Sequence, residues 1–106
     1  MFGRRMKSCI IVVKFKYGVQ GQGRQLNSFE SGNIYYQAMT PQLGVNVNNA
    51  FVFDSIKNAK PVYNYLLNHL KENYRNIGRT FYNSPEATPI DYSVSIISPD
   101  LQTIYK

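Results

Sequence analysis

The sequence predicts an α+β fold, a mixed or antiparallel sheet of about five strands packed on one long helix. Three observations lead there. Tyr63, Leu66, Leu67, Leu70, Tyr74 and Ile77 recur at three- and four-residue steps, the stripe of an amphipathic helix over about residues 59–77. Cys9, Ile11, Val13, Phe15 and Tyr17 alternate with Ile10, Val12, Lys14 and Lys16, the period of a strand. Strand-like segments lie on both sides of the helix in the chain, so each must find its core on the helical stripe or on another strand.

Residues 1–7 read as a flexible basic arm, and 8–106 as a single domain, since 106 residues support one core and not two. Ser8 to Tyr17 is the strongest strand. Both of its faces are apolar at the start and one carries Lys14 and Lys16 near the end, which makes it central. Gly18 to Gln25 reads as a glycine-spaced mobile loop, without the Gly-Lys-Ser/Thr ending of a nucleotide-binding loop. Residues 23–32 offer at most a poor helix. Asn33 to Met39 can form a second strand and Leu43 to Val47 a third, with the break at Thr40-Pro41-Gln42 between them. An Asn48-Asn49 turn then leads into Ala50 to Phe53.

For the helix, Asn58 is the expected N-cap, Pro61 falls in the first turn, and Gly78 serves as the C-terminal stop. Arg79 to Pro89 reads as a loop fixed by Phe81 and Tyr82. Ile90 to Ile97 follows as a strand, with Ile90, Tyr92, Val94 and Ile96 inward and Asp91, Ser93 and Ser95 outward. A Ser98-Pro99-Asp100 turn and a last strand over Leu101 to Tyr105 complete a β-grasp-like order, β-β-β-α-β-β.

The net charge is +6, and it is unevenly placed. Arg4, Arg5, Lys7, Lys14, Lys16 and Arg24 all precede the first acidic residue, Glu30. Lys57, Lys60, Lys71, Arg75 and Arg79 surround the helix and face one acidic neighbour, Glu72. This asymmetry favours an anionic partner, nucleic acid first. The candidate phosphate contacts are Arg4, Arg5, Lys7, Lys14, Lys16 and Arg24, joined by Lys71, Arg75 and Arg79 from the helix. Nine Tyr and six Phe could add a base-stacking surface, although a small domain without Trp needs most of them for its core. Tyr35 and Tyr36, and likewise Tyr63 and Tyr65, point different ways, so one of each pair can be exposed.

Catalysis finds little support. His69 is the one histidine and Cys9 the one cysteine, too few for an ordinary zinc shell. The six carboxylates show no paired spacing, and no nucleophile–base set is singled out. Neither a metal nor a cofactor is expected, and the chain reads as non-enzymatic. Cys9 to Val13 is too short an apolar run for a secretion signal and is followed by Lys14 and Lys16, so an intracellular, cytoplasmic, soluble protein is expected. The first reading is a small basic protein that contacts the phosphate backbone of nucleic acid. A viral or mobile-element accessory protein that binds and inhibits a host protein is the alternative. An oligomer-forming structural subunit, a homo-oligomer paired through a strand edge, is the third.

Overall fold

The computed structural model describes residues 8–20, 26–98 and 102–106. The arm with Arg4, Arg5 and Lys7, the loop residue Arg24 and the turn at Pro99-Asp100 lie outside the described residues. The chain is an α+β fold built from β1 (Ile10–Gln20), β2 (Leu26–Glu30), β3 (Ile34–Tyr36), β4 (Leu43–Gly44), α1 (Ile56–Phe81), β5 (Ala87–Ile97) and β6 (Thr103–Tyr105). The six strands form one sheet in the order β4-β3-β1-β5-β6, with β2 on the far half of β1, and every pairing is antiparallel. These pairings do not establish the β-grasp-like order.

β1 is central, as its two-faced pattern requires. Cys9 just ahead of it and its odd-numbered residues Ile11 to Tyr17 are buried with Ala59, Tyr63, Leu66 and Leu70 of α1 and with Val94 and Ile96 of β5. On the other face Ile10 and Val12 form a smaller cluster with Tyr35 and Ile97, and Lys14 and Lys16 beyond them are exposed. The strand does not end at Tyr17. It continues through Gly18 and Val19, which pair with both β2 and β5, and Gln20, which pairs with β2, so these residues are strand and not loop. β2 corrects the reading of residues 23–32: its own alternation is weak, but the open half of β1 supplies backbone partners that a lone helix would not have.

The helix is longer than its apolar stripe. Ser55, not Asn58, is the N-cap, its hydroxyl accepting from the Asn58 N–H at 3.2 Å. Pro61 therefore sits in the second turn and not the first, where its ring leaves the Lys57 carbonyl without the usual intrahelical donor. Gly78 does not stop the helix either. It is buried inside it, and a Cβ there would stand 2.8 Å from Pro89 Cγ and 3.4 Å from Phe15 Cδ1. This glycine is fixed by close helix–sheet approach, and the C-cap is Tyr82.

The strand after the helix starts earlier than Ile90 and changes parity. Lys16 pairs with Asp91 but Tyr17 with Pro89, so Ile90 is the extra residue of a β-bulge. Ala87 and Pro89 are consequently buried, and Ile90 is 49% exposed instead of inward, lying over Gly18. The third strand is also shorter than its alternation suggests. After β4, Val45 and Val47 are exposed and residues 47–49 form a 3₁₀ turn capped by Asn46. Phe53 then forms a bridge with Cys9 through two backbone hydrogen bonds of 3.0 and 2.8 Å.

Tyr17 ties sheet to helix. Its buried hydroxyl donates to the Gly78 carbonyl at 2.7 Å, which also accepts from the Tyr82 N–H at 3.1 Å. Tyr17→Phe should cost about 0.5–1.5 kcal/mol, because the carbonyl keeps its second donor. Burial raises the phenols of Tyr17 and Tyr63 above the ordinary 10.0, with the nearby Tyr105 adding to the effect on Tyr63. Their folded values thus exceed the unfolded one, so their contribution to stability is complete below about pH 10 and lost as pH rises through the raised values. Melting temperature should fall on alkaline titration, and less steeply in Tyr17→Phe.

Candidate nucleic-acid interface

The basic residues separate into two groups that the structure does not bring together. Lys14 and Lys16 stand on the face of β1 turned away from α1, because the alternate residues pack beneath the helix. In the sheet, Lys16 lies directly between Glu30 of β2 and Asp91 of β5, while Lys14 is opposite Ser93. Side chains directly opposite in antiparallel strands share a face. Two carboxylates therefore flank Lys16, and its charge is locally compensated.

The second group has a different surrounding. Lys57, Lys60, Lys71, Arg75 and Arg79 are all exposed. At 3.6 residues per turn they fall within an arc of about 100° of the helix and over about 33 Å of its length. Asn64 and Asn68, also exposed, occupy the turns between Lys60 and Lys71 on the same row. This row lies away from the buried stripe of Ala59, Tyr63, Leu66 and Leu70. Glu72 is the single acidic residue of α1, so the field along the row is positive.

Two of these cations rest on rings. Arg75 Cζ is 5.2 Å from the Tyr74 centroid, and Lys60 Nζ is 4.8 Å from that of Tyr105. Such contacts restrain long side chains without removing their charge. Arg79, in the last turn, also faces the negative end of the helix dipole. The two asparagines of the row were not singled out in the sequence. Their three- and four-residue steps from Lys60 and Lys71 carry the signal.

The aromatic pairs divide as their alternation implies. Tyr35 is buried and Tyr36 half-buried, whereas Tyr63 is buried and Tyr65 is 48% exposed. Tyr65 stacks on His69, with centroids 5.5 Å apart and planes at 8°. The Asn73 amide approaches His69 Nδ1 at 3.4 Å and donates to the His69 carbonyl at 3.0 Å. Burial pushes the Cys9 thiol up, so it is poorly suited to be a nucleophile. Among the described residues, no three His, Cys, Asp or Glu side chains come close enough to hold a metal ion. No described helix is long and apolar enough to cross a membrane. Comparison with protein-family models, with curated proteins and with solved structures finds no match to this chain.

Proposed function

We propose that the chain is a small nucleic-acid-associated binding protein, not an enzyme, that holds the phosphate backbone along the outer row of α1. The observation that carries this reading is the exposed series Lys57, Lys60, Lys71, Arg75 and Arg79, interleaved with Asn64 and Asn68. Cations set along one helix suit a regular line of phosphates, and amide side chains add neutral donors between them. Lys14 and Lys16 contribute from the opposite face, with Lys16 the weaker of the two because of Glu30 and Asp91.

The affinity for an arbitrary oligonucleotide should fall steeply with salt. Replacing Lys71, Arg75 and Arg79 together with Ala should shallow the log–log salt slope by roughly two to three units, at about 0.9 per contact on duplex and 0.7 on single strands. The melting temperature should barely change, since exposed charges contribute about 0–1 kcal/mol. Fluorescence anisotropy with a labelled oligonucleotide reads the slope. Absence of binding to DNA and RNA, single- or double-stranded, at low salt would remove this reading.

A second reading, a module that binds and inhibits a host protein, draws on a different surface. Met39, Val45, Val47, Phe51 and Val52 are all exposed within one short segment, each at least 43% accessible. Exposed apolar side chains concentrated in this way suit a protein partner. Under this reading the triple Ala variant retains its partner and oligonucleotides do not bind at physiological salt.

A further inference from the structure

Three rings meet where α1 ends. Phe29 of β2 stacks on Tyr17 of β1, with centroids 5.1 Å apart and planes at 17°. Tyr82, the helix C-cap, stands edge-on to both, at 5.5 Å from Tyr17 and 5.4 Å from Phe29. Tyr17 is fully buried, but Phe29 is 38% and Tyr82 47% exposed. Beside them opens a cleft of about 400 Å³, whose walls also include Glu30, Asn33 and Phe81. That volume lies at the lower end of the about 300–1,000 Å³ usual for small-ligand sites.

The cleft lies at the end of α1 that carries Arg79: Tyr82 follows three residues later, its backbone already extended and its ring set against Tyr17. Building on the nucleic-acid reading, we infer that the cleft takes an unpaired nucleobase of a single strand whose phosphates follow Lys71, Arg75 and Arg79. A positive track leading to exposed aromatic faces is the arrangement that single-strand recognition requires. Charge selects which part of the strand enters. The negative end of the α1 dipole disfavours phosphate at the cleft, so the uncharged base goes in and the backbone stays on the row. Asn33 on the wall can offer its carboxamide as both acceptor and donor to the polar edge that only an unpaired base exposes.

The test compares three probes by anisotropy on the intact chain: a single-stranded DNA oligonucleotide, the same phosphodiester chain with abasic sites throughout, and the duplex. The single strand should bind about 5- to 150-fold tighter than the abasic chain, the worth of stacking one base. Tyr82→Ala should erase that preference while leaving the salt slope unchanged, and Tyr82→Phe should keep it. Equal binding of the normal and abasic strands by the unaltered protein, with a steep salt slope, would overturn the base cleft yet leave the backbone reading standing. A preference for duplex over single strand would also overturn it. No binding to any probe would remove both.

Discussion

Leu70→Ala is expected to destabilise the protein by about 2–5 kcal/mol, whereas Asn68→Ala, two residues away, should change stability by no more than about 0.5 kcal/mol. Leu70 is fully buried, and it belongs to the cluster where α1 meets the odd-numbered face of β1. Truncation there removes apolar atoms from water-free packing and leaves a space that neighbouring Leu66 and Val13 can only partly close. Asn68 is exposed and contributes little besides helix propensity, which Ala improves. Denaturant melts of the two variants read the difference directly. Equal shifts would mean that the helix presents a different face to the sheet.

The second large effect lies at Gly78. An Ala Cβ would meet Pro89 Cγ at 2.8 Å and Pro89 Cβ at 3.0 Å, and a proline ring on a paired strand cannot swing aside. Against this clash stands the gain of about 1 kcal/mol from replacing Gly by Ala within a helix. Overpacking costs about 1–3 kcal/mol, so Gly78→Ala should destabilise on balance, and Gly78→Leu by about 3 kcal/mol or more. The signature is a sign change. In a Pro89→Gly background both crowding carbons are gone, and Gly78→Ala should become stabilising by about 1 kcal/mol. A double-mutant cycle should therefore show coupling of about 1–3 kcal/mol. Additive effects would place the crowding elsewhere.

The parts of the fold that were legible are those a residue and its near neighbours decide. The stripe through Tyr63, Leu66 and Leu70 fixed the buried side of α1, and Ile10 and Val12 ahead of Lys14 and Lys16 fixed the centrality of β1. What escaped depends on partners far away in the chain. Gly78 resembles a helix stop until Pro89 and Phe15 are seen against it. The bulge at Ile90 is a mismatch between β1 and β5, invisible in either alone. β2 has too little alternation of its own and is a strand because β1 offers an edge. The same holds for the interface. The abundance of cations was plain, but that Lys16 lies between Glu30 and Asp91, and that Tyr82 and Phe29 meet, comes from register and packing.

The pairing of β1 with β5 also bears on how the chain acquires its structure in time. Ile10 pairs with Ile97, so β1 waits for all the intervening chain before its longest partner exists. Loop-closure entropy must be met before that pairing returns any free energy, which slows folding relative to a helical protein of equal size. During synthesis the strand with the most apolar residues emerges well before its main partner. In that interval β2, β3 and α1 are the contacts available to it. The β1–β2 hairpin thus does more than extend the sheet: by local pairing with the far half of β1, it shields part of an apolar strand until β5 arrives.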